Sequence, residues 1–256
     1  MKRWIYIGVG VLAVVLIVVA IGVYYLLSSL DSIVKSAVEK YGSEMTQVTV
    51  QLSDVKIELT SGKGALQGLT VGNPSGFKGE RALRLGEIAL QLDVTTVTKD
   101  PVVINEISIT EPEVNYEFGV KGSNLDVLKR NVDAYTAQGK DKTKAEATEE
   151  EGKKLVIENL YIRNGKVNVS ATELEAKSAS APLPEIHLTD IGKKSGGATA
   201  GEVAEQVLGA IGKGAAGAAA KTDIGGLLDK AKGGVAKDVG EAAEERAKGL
   251  KGLFGK

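Results

Sequence analysis

The chain has no cysteine. That excludes disulfides, thiolate metal sites, iron–sulfur clusters and cysteine nucleophiles, so an exported fold made from it must stand on its apolar core alone. Aromatic residues make up only 4% while hydrophobic residues make up 43%, so the apolar surface is built from Val, Ile, Leu and Ala. Such a surface suits hydrocarbon chains, and it suits an ordinary β core equally well. The formal net charge of -1 supplies no field of one sign, and the Lys-rich stretches are interleaved with acids. Nucleic acid is therefore not an expected partner. No G-x-S-x-G elbow, Walker A loop or H-E-x-x-H helix occurs, so the reading carries no catalytic residue, no metal and no cofactor, and an enzyme is disfavoured.

Charge is missing altogether between Arg3 and Asp31. Trp4 to Leu27 reads WIYIGVGVLAVVLIVVAIGVYYLL, which as a helix would extend roughly 36 Å at about 1.5 Å per residue, enough to cross a hydrocarbon core. The run is longer than a signal-peptide core and no A-x-A site follows it, so it reads as an uncleaved transmembrane anchor over residues 1–30. Lys2 and Arg3 precede it, and Trp4, Tyr24 and Tyr25 stand where aromatic belts belong. The N-terminus is then cytoplasmic, and the rest of the chain lies beyond an inner membrane, in a periplasm.

Ser28 to Lys40 place Leu30, Ile33, Val34, Ala37 and Val38 at helical spacing, so that 31–44 reads as an amphipathic stalk whose helix Gly42 ends. From Met45 the period changes to two. Val48, Val50 and Leu52 alternate with polar residues, and so do Val55, Ile57 and Leu59. The Ser53-Asp54 step between the two sets shifts the phase, which reads as a bulge or tight bend. Further alternating runs at 83–85, 88–94, 102–109, 114–118, 155–162, 167–169 and 186–188 make an antiparallel meander with one apolar face over 45–192. Asn164-Gly165 is the strongest hairpin signal, because both central positions of a type I′ turn need positive φ. Residues 137–154 are charged and nearly devoid of apolar side chains, the composition of a disordered insertion that includes the Glu149–Glu151 block. From 193 to 256 the texture is Gly, Ala, Lys and Glu. Val203, Val207, Leu208 and Ile211 form one helical stripe there, and Ile224, Leu227, Leu228, Ala231, Val235 and Val239 another. With Leu250, Leu253 and Phe254 beside Lys248 and Lys251, this tail fits a membrane interface or a docking helix and not a second span.

Three short matches carry little. Gly212, Gly214 and Gly217 fit G-x-G-x-x-G, but no strand precedes them and no βαβ unit surrounds them. Asn168-Val169-Ser170 is a glycosylation sequon on an expected strand. His187, the only histidine, alternates with Ile186 and Leu188 and should point away from the apolar face.

Residues 65–118 contain GLTVGNPSGF, ALRLGEIALQLDV and the expected hairpin PVVINEISITEPEVNYE. They are followed by the helix start GSNLDVLKRN and, after the insertion, by LVIENLYIRNGKVNVS. In these pieces the chain resembles the AsmA-like family of bacterial envelope proteins. The resemblance implies a mainly β fold with helical additions, in which one N-terminal transmembrane helix anchors an antiparallel sheet bent into an open trough with an aliphatic concave face. Long relatives in that family are implicated in phospholipid movement and envelope lipid balance. A single trough unit of this length is too short to bridge a periplasm.

The leading expectation is an inner-membrane-anchored, non-enzymatic protein whose trough binds or helps transfer phospholipid acyl chains. The trough residues are Val50, Ile57, Leu59, Leu85, Leu90, Leu92, Ile107, Ile109, Ile157, Ile162 and Val167, and they would serve equally as a closed core without ligand. The alternative is a scaffold or assembly factor for other envelope proteins, or for a second copy, through β-augmentation and tail-helix docking.

Overall fold

The computed structural model describes residues 29–119, 122–141, 153–171 and 178–222. The anchor residues Trp4, Tyr24 and Tyr25, the middle of the expected insertion and the tail residues Leu250, Leu253 and Phe254 lie outside the described residues. Among the described residues no helix is long and apolar enough to cross a membrane.

The fold is mainly β, a mixed sheet with helices packed on its apolar face. Helix α1 spans Leu30–Thr46. The strands β1 (Val50–Gln51), β2 (Asp54–Glu58), β3 (Lys63–Gly72) and β4 (Arg81–Leu92) follow, and then β5 (Val102–Thr110), β6 (Glu113–Gly119) and β7 (Gly122–Ser123). Helix α2 spans Asn124–Asp141. It is followed by β8 (Leu155–Arg163), β9 (Lys166–Ala171), β10 (Ser178–Pro182), β11 (Ile186–Ile191) and helix α3 (Ala200–Ala219).

Apart from the short β7, the pairing joins these strands into six long lanes: β1–β2, β3, β4, β5–β6, β8–β9 and β10–β11. Both halves of a split lane keep one register. Val102 pairs with Leu155 and Phe118 with Ala171, the same separation throughout, and the pairs Ser178–Ser170 and Ile191–Ile157 likewise continue each other.

The breaks between halves fall on one line. Ser53, Gly68, Gly86, Glu111, Asn164 and Pro184 stand side by side across the sheet. Gly68, Glu111 and Asn164 have φ of 63°, 53° and 57°, left-handed values inside otherwise extended chain. One such residue turns the chain so that the alternation restarts out of phase, and the burial records this. Leu83 and Leu85 are buried above the line, whereas below it the inward side chains are Ile88 and Leu90, with Glu87 and Ala89 exposed. The ladder survives the bend, because Glu111 N donates to Arg163 O (3.0 Å), Lys166 N to Pro112 O (2.8 Å) and Leu183 N to Gly165 O (2.8 Å). A second line through Asn105, Glu158 and Asp190 (φ 55°) repeats the phase change in three lanes, where register positions drop out of the pairing. Aligned bends of this kind curve a sheet without opening its edges.

Several expectations need correction. The sheet is mixed and not wholly antiparallel: β5–β6 and β8–β9 run parallel, because α2 carries the chain back from one end of the sheet to the other between them. Asn164-Gly165 closes no hairpin, since β8 and β9 are halves of one lane. Residues 101–117 are likewise no hairpin, since β5 and β6 both pair with β4 on the same side. Residues 137–141, expected in the insertion, belong to α2, and Lys154 is tied to the sheet through Val102 N to Lys154 O (2.9 Å). The first part of the expected tail is helical, as its Val203 to Ile211 stripe implies, and it is α3, a layer packed on the sheet. Thr199 and Glu202 form a capping box at its start, and Leu208 and Ile211 are buried against the sheet. Gly212, Gly214 and Gly217 lie within this helix and form no phosphate-binding turn.

Candidate functional site

Two rows of aliphatic side chains cross the lower half of the sheet, the half that holds β2, β5, β8 and β11. One row is Val55, Leu66, Ile88, Ile109, Ile162 and Ile186. The next is Ile57, Gly64, Leu90, Ile107, Leu160 and Leu188. Above the crease the rows continue with Leu85 and with Val50, Val71, Leu83, Val114 and Val167. Each trough residue expected from sequence, other than Leu59 in the turn after β2, therefore lies within this sheet.

The helices divide that set in two. Helix α1 lies along β1 and β2, α2 along β6 and β7, and α3 across β6, β9, β10 and β11, while no described helix runs along β4 or β5. Val50, Leu85, Ile109, Ile157, Ile162 and Val167 are buried. Ile57, Leu59, Leu90, Leu92 and Ile107 are only half-buried. Of the second set, Leu90, Leu92 and Ile107 on β4 and β5 form a strip of aliphatic surface without a helix of its own, and Ile57 on β2, beside α1, continues it across β3. Gly64 belongs to its geometry: a Cβ there would come within 2.7 Å of Leu90 Cδ1, so the absent side chain lets Leu90 lie flat across β3.

Helix α1 also closes the sheet edge. Along β1–β2, Val50 N donates to Ser43 Oγ (2.9 Å), Leu52 N to Glu39 Oε1 (2.9 Å) and Ile57 N to Asp31 Oδ1 (2.9 Å), while Lys35 Nζ donates to Ser53 O (3.0 Å). Backbone groups that an incoming strand would use are thereby occupied.

The opposite face is polar. Asn168 Nδ2 donates to Asn115 Oδ1 (3.0 Å) and Ser180 Oγ to Asn168 Oδ1 (2.9 Å), a ladder across three lanes that places the sequon on a paired strand. His187 is exposed on this face, as its alternation implies. It stacks on Tyr161 at 4.2 Å and lies 3.0 Å from Asn159 Oδ1, while Arg163 covers the other side of the Tyr161 ring.

Sequence reasoning missed a buried clasp at the upper end. Glu117, 3% exposed, accepts from Lys78 N (2.7 Å), Gly79 N (2.9 Å) and Asn73 Nδ2 (2.9 Å). Asn124 Nδ2 donates to Asn73 Oδ1 (2.8 Å) and Asn115 O (2.7 Å), and its Oδ1 accepts from Glu117 N (3.0 Å). Residues of the segments 68–77, 101–117 and 122–131 thus meet in one network. Beside it, burial pushes the Tyr116 hydroxyl up, against a hydrogen bond from Ser123 that works the other way. Among the described residues no group of three or more His, Asp or Glu side chains is placed to hold a metal ion.

A separate open cleft of about 640 Å³ lies between β10 and the end of α3, lined by Ala179 to Pro184, Ala218, Lys221 and Thr222. It lies in other lanes of the sheet than β4 and β5 and is lined mostly by small side chains. Comparison with models of known protein families gives no match, and neither does comparison with curated proteins.

Proposed function

We propose that the chain is an inner-membrane-anchored envelope protein that holds phospholipid acyl chains on the aliphatic strip formed by Ile57, Leu90, Leu92 and Ile107. The observation that carries this reading is that Leu90, Leu92 and Ile107 face inward on the helix-covered side of the sheet, yet remain half-buried because no described helix runs along β4 or β5, and that Ile57, half-buried beside α1, continues the same cross-sheet row. Full burial of a Leu or Ile side chain is worth about 1.5–3 kcal/mol, so a half-covered one leaves on the order of 1 kcal/mol to an apolar occupant, and each buried CH₂ of an acyl chain adds about 0.8 kcal/mol. The polar opposite face offers no such gain. The uncharged run from Trp4 to Leu27 and the resemblance of residues 65–118 to the AsmA-like family support the same reading, with the sheet on the periplasmic side and the crease giving the trough its curvature.

The scaffold alternative has less to work with. Helix α1 occupies the β1–β2 edge, and Pro182 and Pro184 remove two donors from the β10–β11 edge. The test is lipid mass spectrometry of the full-length protein purified in mild detergent, beside the Leu90→Asp and Ile107→Asp variants and an exposed-face control, Gln91→Asp. Acyl lipid retained by the wild type and the control but lost from the two strip variants is the expected result. Equal lipid in all four, or none in the wild type, refutes the proposal.

A further inference from the structure

One rim of the sheet gathers segments that are distant in sequence. The start of α1 sits there, because Asp31 Oδ1 accepts from Ile57 N (2.9 Å). The turn after β2 meets the end of β4 through Leu92 N to Gly62 O (2.7 Å), with Val94 beside Gly62. Lys153 Nζ donates to Val97 O (2.6 Å), and Ala198 bridges to Leu155 through Leu155 N to Ala198 O (2.8 Å). The loop 93–101, residues 153–154 and the 192–198 connection are therefore one surface. The apolar run from Trp4 to Leu27 directly precedes α1 in the sequence, and the start of α1 lies at this rim.

The rim has the chemistry of an interface. Ile33, 51% exposed, and Val94, 39% exposed, are two of the four large apolar side chains that stand out into solvent among the described residues. The loop 73–80 at the opposite end exposes none. On the same rim as Val94 stand the exposed Lys99, Lys153, Lys154 and Lys194, none of them within ion-pair distance of a described acid, although Lys99 acts electrostatically on Asp93. Of the acids on the rim, Asp190 is paired with a lysine, while Asp93 and Asp100 keep their charge and are hydrogen-bonded by neutral donors. Asp93 caps its own turn, with Thr95 N and Oγ1 donating to Oδ1 at 3.0 and 2.8 Å, which holds its carboxyl below the usual value. Asp100 accepts from Lys154 N, and Asp190 pairs with Lys193.

We propose that this rim rests on an anionic phospholipid surface, with Ile33 and Val94 entering the headgroup–acyl boundary and the four lysines facing lipid phosphates, so that the aliphatic strip opens beside the bilayer. Apolar side chains flanked by lysines are what such a boundary accepts, and each lysine near an anionic surface adds to the attraction. The proposal rests on the anchored reading of the chain, but it adds an orientation that an anchor alone does not impose.

The absence of cysteine makes the test direct. Full-length Ile33→Cys, Val94→Cys and Ser75→Cys proteins, each carrying an environment-sensitive fluorophore, are reconstituted in nanodiscs of phosphatidylcholine with or without phosphatidylglycerol, and quenched by spin-labelled lipid. The expected result is loss of fluorescence at Ile33→Cys and Val94→Cys but not at Ser75→Cys. It should be greater with phosphatidylglycerol and reduced at Val94→Cys when Lys153, Lys154 and Lys194 are changed to Gln. Quenching at Ile33→Cys with none at Val94→Cys beyond the Ser75→Cys level overturns the proposal while leaving the anchor intact. Quenching at neither overturns both, and equal quenching in the two lipid compositions overturns the role given to the lysines.

Discussion

Leu85 and Ala89 are four residues apart on one strand, with the parity that should place them on the same face, yet Leu85 is 6% exposed and buried while Ala89 is exposed. Gly86, in the transverse line of bends, lies between them. The sheet therefore keeps one apolar side by changing phase at the crease, which permits a curved surface lined throughout by aliphatic side chains.

Leu85→Asp should consequently unfold or severely destabilise the protein, by about 3 kcal/mol or more, since it buries a charge without a partner. Ala89→Asp should stay within about 0.5 kcal/mol of wild type, as exposed substitutions do. Urea denaturation followed by circular dichroism reads both. Equal damage at the two positions contradicts the crease.

The crease itself depends on left-handed backbone. At Gly68 a Cβ would come within 2.4 Å of Ser53 Oγ, and φ is 63°. Gly68→Ala should lower stability by about 1–3 kcal/mol, while Gly76→Ala, with φ 96° and nothing within 4 Å, should cost only the backbone strain. Asn164→Val should cost more than Asn164→Gly, because a β-branched residue tolerates φ of 57° poorly. Melting temperatures that rank Gly76→Ala below Gly68→Ala, or that leave Asn164→Val unchanged, count against this.

Part of this architecture is legible in the sequence. The phase shift at Ser53-Asp54 marks the first bend of the crease, and the alternation of Ile186, His187 and Leu188 gives the faces of the last lane. Asn164-Gly165 misleads for a physical reason. A type I′ turn and a single left-handed residue within a lane both call for Asn, and only Asn164, not Gly165, adopts positive φ. What decides between them is the pairing of β8–β9 with β5–β6, a parallel partner far away in sequence. Helix α2 outlasts its apolar stripe because it packs on α3, where Gly201 makes room for Thr136, and no local pattern announces that contact. The clasp at Glu117 was hidden because a carboxylate on a strand reads as solvent-facing until the loop that surrounds it is known. Among the expected trough residues, alternation identified the apolar face but not which of its members the helices would cover.

Glu39 and Ser43 hold the β1–β2 edge closed. Glu39→Ala leaves Leu52 N–H without its acceptor, and Leu52 is buried. A loss of about 1–3 kcal/mol is expected, and the Glu39→Ala, Ser43→Ala double variant should self-associate through the freed edge. Analytical ultracentrifugation showing the same mass distribution as wild type, with unchanged stability, would remove that role for α1.

Glu117→Leu should release the 73–79 loop, which loses three donors' common acceptor. Hydrogen exchange at Lys78 and Gly79 should accelerate strongly, and stability should fall by about 2–4 kcal/mol, since an orphaned buried donor costs about 1–3 kcal/mol and the loop's release lets some of the three reach water. Unchanged protection at those two amides would show that the loop is held by other means.

The central claim is that acyl chains lie on the strip of β4 and β5, and photo-crosslinking addresses it most directly. Full-length protein in native-like membranes containing a phospholipid with a diazirine on its acyl chain is irradiated, digested and mapped by mass spectrometry. Adducts on the peptides that carry Ile57, Leu90, Leu92 and Ile107, and none on the polar-face residues Asn115 and Asn168, are the predicted outcome. Adducts confined to the run from Trp4 to Leu27, with the sheet unlabelled, would contradict it.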